Sequence, residues 1–111
     1  MAKKFLSMSQ ENKQIRLISE GKQIGARFSF VEHGKTIWCS LGIQFHDGKF
    51  KVYLDEIEEG KMDVDEYRKD VGISFTSVSD ALDWVRENTQ ISLDELQPCK
   101  GLKIFNPVFI D

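Results

Sequence analysis

The sequence predicts an α+β fold, in which a single domain consists of an antiparallel β-meander of about four to five strands covered by one or two helices. Strand-like alternation between short glycine turns fills the first half, and a later segment has the apolar spacing of a helix. The 111 residues, 41% of them hydrophobic, suit one domain with its own core. We expect residues 1–12 to form a flexible leader and residues 13–111 to form the domain.

The first half of the chain supplies the predicted strands. Between residues 14 and 57, apolar and polar residues alternate, and the turns "EGK", "HGK" and "HDGK" interrupt them, which predicts a four-stranded antiparallel meander. In one strand the core face should hold Ile37, Cys39, Leu41, Ile43 and Phe45. Trp38 and Tyr53 fall on the opposite face. There they could equally pack within the domain or anchor a partner.

A later segment predicts a helix. "VGISFTS" has strand character and leads into "SVSDALDWVRENT", whose apolar residues follow helical spacing: Val78, Ala81, Leu82 and Val85. Ser77 is the expected N-cap, with Asp80 three residues on. "SLDEL" predicts another helical turn with Ser92 as its cap. The apolar tail "LKIFNPVFI" should pack on the domain, because it would otherwise have to bind something.

Composition and charge exclude several classes of protein. The formal net charge is -3, with bases concentrated in the first half and acids after Val52. A pI near 5.4 and dispersed bases are unlike a nucleic-acid-binding domain. No apolar run has the length of a membrane helix or of a signal peptide. Cys39 and Cys99 match no redox or metal-binding spacing, so we expect reduced thiols in a cytoplasmic protein.

One stretch, "DEIEEGKMDVDEY", concentrates the negative charge. It contains Asp55, Glu56, Glu58, Glu59, Asp63, Asp65 and Glu66, with Lys61 as its only base. Asp55, Gly60 and Glu66 match three fixed positions of an EF-hand loop. Ile57, however, stands where an oxygen ligand is needed, so we expect no metal site. A solvated loop and a surface for a basic partner are the two alternatives that stay open.

Catalytic signals are weak in this sequence. His33 and His46 adjoin glycine turns, but neither belongs to a metal-binding spacing. The chain contains no GxSxG, no phosphate-binding loop and no GxGxxG, so we expect no cofactor. Two alternatives to a binding protein stay open: a small cytosolic hydrolase that uses His33 or His46 with a carboxylate, and a structural or regulatory domain that uses the apolar tail.

The segment from Phe75 to Pro107, "FTSVSDALDWVRENTQISLDELQPCKGLKIFNP", resembles in layout the small bacterial immunity proteins of contact-dependent growth inhibition (CDI) systems. The likeness consists of a strand, a Ser-capped helix, a "DEL" turn and a "KG…IFNP" tail, after an acidic, strand-rich half. The resemblance implies a protein without catalysis of its own, which binds and blocks a toxin domain delivered by a neighbouring bacterium. Many such toxins are nucleases with basic clefts.

Together these observations predict a non-enzymatic immunity protein that neutralises a cognate toxin domain through an acidic surface. The expected partner-binding residues are Trp38, Tyr53, Asp55, Glu56, Glu58, Glu59, Asp63, Asp65 and Glu66. We expect no metal ion, cofactor, nucleic acid or membrane among its partners.

Overall fold

The computed structural model describes residues 13–99, 101 and 103–111, so the expected leader, residues 1–12, lies outside the described residues. Helix α1 is described over residues 13–19. The elements that follow are β1 (Ile24–Glu32), β2 (Lys35–His46), β3 (Lys49–Glu58), β4 (Tyr67–Phe75), α2 (Val78–Asn88) and β5 (Gln97–Pro98), with 3-10 turns at Met62–Val64, Leu93–Glu95 and Pro107–Phe109.

The described strands form one antiparallel sheet in the order β4-β3-β2-β1-β5. His33 and Gly34 turn the chain between β1 and β2 with φ angles of 52° and 75°, and Asp47 and Gly48 do so between β2 and β3 with 53° and 77°. Two successive positive φ angles are typical of the tight hairpin turns whose twist matches that of the strands. The predicted α+β meander is therefore confirmed.

Both helices pack on one face of the sheet, which we call the helix face. The strand register aligns its core residues in rows, as in Ile24, Ile43 and Val52 on three neighbouring strands. Leu82 of α2 and Ile18 of α1 are fully buried in the same cluster, and each such side chain contributes about 1.5–3 kcal/mol. The core face predicted for β2 is confirmed, with four of its residues buried and the fifth half-buried.

The first strand that the sequence predicts is wrong, because residues 13–19 are helical. Gln14, Leu17 and Ile18 are the buried residues of this segment, and their spacing is that of one helix face. The Gln14 amide also donates a hydrogen bond to the carbonyl of Leu96 at 3.3 Å. Alternation over so short a segment does not distinguish a strand from a helix, and tertiary packing decides the outcome.

The second helix begins as predicted. The Ser77 hydroxyl accepts a hydrogen bond from the backbone N–H of Asp80 at 3.3 Å, and the predicted core residues Ala81, Leu82 and Val85 are buried. The expected cap at Ser92 is not formed. Its hydroxyl donates to the Asp94 carboxylate instead, and the following residues make a 3-10 turn.

The C-terminal residues 104–111, which we call the strap, cross the other face of the sheet. The register aligns three glycines beneath them, namely Gly25 of β1, Gly42 of β2 and Gly72 of β4. A Cβ atom at Gly42 would lie 2.8 Å from the Phe105 ring, and one at Gly72 would lie 2.8 Å from Ile110. The missing side chains therefore form a groove, which the strap fills.

Buried polar groups fix the strap in this groove. The Gln23 side chain donates to the Phe105 carbonyl at 2.9 Å and accepts from the Ile104 N–H at 2.8 Å. Lys51 donates to the carbonyl of Ile110. The Phe105 ring stacks on Tyr53 with 5.9 Å between centroids. The prediction that the apolar tail packs on the domain is thus confirmed for Ile104, Phe105 and Ile110. Val108 and Phe109 are exposed instead, and Leu102 lies outside the described residues.

Candidate functional site

Strand alternation divides the acidic stretch between the two faces of the sheet. Glu56 and Glu58 pair in register with Cys39 and Ile37, and so they point to the helix face. Asp55 points to the opposite face. The remaining acids lie in or next to the connection between β3 and β4: Glu59, Asp63, Asp65 and Glu66. The stretch is therefore not one acidic surface.

A β-bulge determines which of these charges is buried. The register of β3 and β4 shifts just after Glu56, so that Arg68 is an extra residue in β4. Arg68 Nε lies 2.9 Å from Glu56 Oε1, and Lys69 Nζ lies 3.6 Å from Glu56 Oε2. Arg68 also pairs with Glu32. With 4% of its surface exposed, Glu56 is the buried member of an ion-pair cluster whose other side chains are partly exposed.

The same bulge turns Tyr67 onto the face opposite the helices. Uninterrupted alternation would place Tyr67 on the helix face with Val71, but the bulge pairs it with Ile57, next to Trp38. Trp38 and Tyr67 are 41% and 44% exposed. The strap instead contacts Gly25, Gly42 and Gly72, which we call the glycine row, and Tyr53 between them. We give the name aromatic–acidic patch to Trp38, Asp55, Met62, Tyr67 and Asp70.

Two carboxylates of the patch lie directly opposite each other, Asp55 on β3 and Asp70 on β4. Side chains in such positions start about 5 Å apart, and like charges there repel. Tyr53 donates a hydrogen bond to Asp55 at 3.1 Å, and Asp70 lies near enough to help raise the pKa of the same hydroxyl. No basic residue of the described chain forms an ion pair with either aspartate.

Burial raises the pKa of Asp55 and of the Tyr53 hydroxyl that is bonded to it. Burial is the main cause that raises the pKa of Asp55, and the charge of Asp70 adds to the rise. Hydrogen bonds from Tyr53 and Ser40 act in the opposite direction. The pKa of Tyr53 is also raised, first by burial and then by both carboxylates. Tyr53 therefore stays a neutral hydrogen-bond donor at physiological pH.

A surface cavity of about 250 Å³ opens within the patch. Its lining includes Trp38, Met62 and Tyr67 as apolar walls and Asp55 as the acidic group. Arg27 of β1 also lines it. A second cavity, of about 360 Å³, separates the patch from the strap and is bordered by Asp70. Of the residues of the patch, only Asp70 lines this second cavity.

The connection from β3 to β4 adds negative charge beside the patch. Glu59, Asp63 and Asp65 are exposed and have no ion pair within the described residues. Glu58 pairs with Lys35 at 3.1 Å, and Glu66 pairs with Lys61 at 3.3 Å. Seven acids were predicted to contact the partner. Of these, Glu59, Asp63, Asp65 and Asp55 have no ion pair within the described residues.

The two histidines lie far apart in the fold. His33 precedes β2 and His46 ends it, and a strand of that length spans about 35 Å. Neither histidine is among the lining residues of the cavities of about 250, 360 and 500 Å³. In the same part of the chain, no group of three or more His, Cys, Asp or Glu residues is arranged to hold a metal ion.

Both cysteines are free thiols. Cys39 is 2% exposed, and burial raises its pKa to about 12. Cys99 is half-buried, and burial raises its pKa as well. Over the described ranges, no helix combines the length and apolar character needed to cross a membrane.

Sequence reasoning identified Trp38, Tyr53 and Asp55 of this site but missed Tyr67 and Asp70. Tyr67 gave no usable signal, since its direction depends on a bulge that the alternation does not reveal. Asp70 could have been found by extending the strand predicted at "VGISFTS" back towards the acidic stretch, because Asp70 directly precedes it.

Comparison with known proteins adds no identification: no family model, curated protein or solved structure matches this chain.

Proposed function

We propose that this protein is a non-enzymatic binding protein that neutralises a basic toxin domain, as its resemblance to CDI immunity proteins implies. The aromatic–acidic patch is its binding surface. The proposal is carried by one observation, the exposed Trp38 and Tyr67 next to Asp55 and Asp70, which have no basic partner among the described residues. Aromatic side chains are common anchors of interfaces, and unpaired acids select a basic partner.

The neighbouring acids strengthen this interpretation. Glu59, Asp63 and Asp65 border the patch and enlarge its negative field, which accelerates the encounter with a basic domain. Glu56 is omitted from the proposed contact, because its side chain is buried between Arg68 and Lys69. The set of contacts that the sequence predicts is thus narrowed to acids that a partner can reach.

Isothermal titration calorimetry with the protein domain encoded immediately upstream tests the proposal. We expect one-to-one binding with a nanomolar dissociation constant that weakens as salt is added. In stopped-flow measurements of the same pair, replacing Glu59, Asp63 and Asp65 with lysine should slow association about tenfold or more, because the field beside the patch is then reversed.

A matched control variant separates local charge from net charge. Glu20, Glu87 and Glu95 are also exposed acids, but they lie on or next to α1, α2 and the following turn. Their replacement by lysine changes the net charge equally and should leave the association rate within about twofold. Equal effects of the two triple variants, or the absence of binding to the basic domain, would contradict the proposed function.

A further inference from the structure

We infer that the patch contains a recognition pocket for one arginine side chain of the partner, with Asp55 and Asp70 as acceptors and Trp38 and Tyr67 as walls. The inference rests on the proposed function and specifies the chemistry of its central contact. The two faces of the sheet differ in how their acidic side chains are paired. On the helix face, the acids Glu56 and Glu58 both have basic partners, whereas the two opposed aspartates of the patch have none among the described residues.

The geometry of the acceptors favours arginine. Two carboxylates that project from neighbouring strands, with Cβ atoms about 5 Å apart, can accept hydrogen bonds from different N–H groups of one guanidinium. An ammonium group is a compact point charge and lacks this fork of donors. The Tyr53 hydroxyl donates its hydrogen bond to Asp55 and so helps to hold this acceptor at the 250 Å³ cavity. Asp70 lies directly across the strand pair from Asp55 and borders the neighbouring cavity. A bound cation would also relieve their mutual repulsion.

The walls of the cavity fit the rest of the arginine side chain. The lining of the 250 Å³ cavity includes the Trp38 indole, the Tyr67 ring and the Met62 thioether. Aromatic faces attract a guanidinium that lies against them, and the aliphatic stem packs on apolar atoms. Arg27 is the opposing charge in this cavity, two strands away from Asp55 with Ser40 between them. Its presence should weaken the binding of a cation, which makes it a useful test residue.

Nuclear magnetic resonance of the ¹⁵N-labelled full chain provides the test, with N-acetyl-arginine amide as the probe. We expect a saturable shift of the Trp38 indole N–H signal. The indole of Trp84, in α2 on the helix face, should not move. N-acetyl-citrulline amide has nearly the same shape without the charge and should bind at least tenfold more weakly. The lysine analogue should also bind more weakly than arginine.

Three variants should change the affinity for arginine in different ways. Asp70→Asn should weaken arginine binding about tenfold, because one charged acceptor becomes neutral. Arg27→Gln should strengthen it, since the repelling charge is removed. Asp63→Asn, an exposed acid outside the opposed pair, should change it by less than about twofold. All three positions are exposed, so we expect each variant to fold.

The outcomes separate this inference from the proposed function. An unmoved Trp38 signal, equal binding of citrulline, or no effect of Asp70→Asn would overturn the arginine pocket even if the basic domain binds in calorimetry. Saturable binding of arginine with the expected responses of the variants would support the pocket even if that domain does not bind. In that second case the proposed toxin partner, and not the pocket, would be wrong.

Discussion

The contact between the strap and the glycine row can be tested with a double-mutant cycle at Gly42 and Phe105. A Cβ atom at position 42 would lie 2.8 Å and 2.9 Å from two carbons of the Phe105 ring, which itself stacks on Tyr53. Overpacking of this kind costs about 1–3 kcal/mol. Replacing a strand glycine with alanine otherwise stabilises by about 0.5–1 kcal/mol. We therefore expect Gly42→Ala to lower the free energy of unfolding by up to about 2.5 kcal/mol.

In the second arm of the cycle, Gly42→Ala is made in the Phe105→Ala variant, where its effect on stability should change sign. Phe105→Ala alone should destabilise by about 2 kcal/mol, roughly half the cost of losing a fully buried phenylalanine. In that background the clash is gone, so Gly42→Ala should stabilise and the coupling between the positions should be about 1–3 kcal/mol. Urea unfolding with an unchanged slope measures each value. Phe109→Ala is the control, because this strap residue is 84% exposed. A coupling near zero would refute the strap geometry.

Three further predictions concern charge and thiol chemistry. Glu56→Gln should destabilise by about 1–3 kcal/mol, as it leaves two cations without their buried partner, whereas the exposed Glu59→Gln should change stability by less than about 0.5 kcal/mol in the same unfolding assay. In thiol titration of the native protein, Cys99 should react first and Cys39, with its pKa of about 12, only on unfolding. Because the pKa of Asp55 is raised in the folded state, its stabilising contribution is present at acid pH and lost as pH rises through that raised pKa. Relative to the unmodified protein, Asp55→Asn should therefore become more stable as the pH rises from acid to neutral. If unfolding curves show the same stability difference at every pH, the pKa of Asp55 is not raised.

The sequence predicted the parts of the fold that depend on local patterns. The hairpins at Gly34 and Gly48 and the cap at Ser77 follow from turn and capping chemistry, which acts within a few residues. The helix α1 was missed because a short apolar segment satisfies strand and helix templates alike. The glycine row was also missed, since Gly25 and Gly42 become neighbours only through strand register.

The division of the acidic stretch shows why charge runs need a structure before they can be assigned a role. Alternation along β3 sends Glu56 to the helix face, where Arg68 and Lys69 neutralise it, and sends Asp55 to the face that carries Trp38. If the stretch served solubility alone, nothing would require exposed aromatic residues beside its unpaired carboxylates, because solvated charge needs no apolar surface. The fold pairs the buried Glu56 with Arg68 and Lys69, and it leaves Asp55, beside the exposed ring of Trp38, without an ion pair among the described residues. That arrangement favours a basic partner over a solvated loop as the reason for the charge of Asp55.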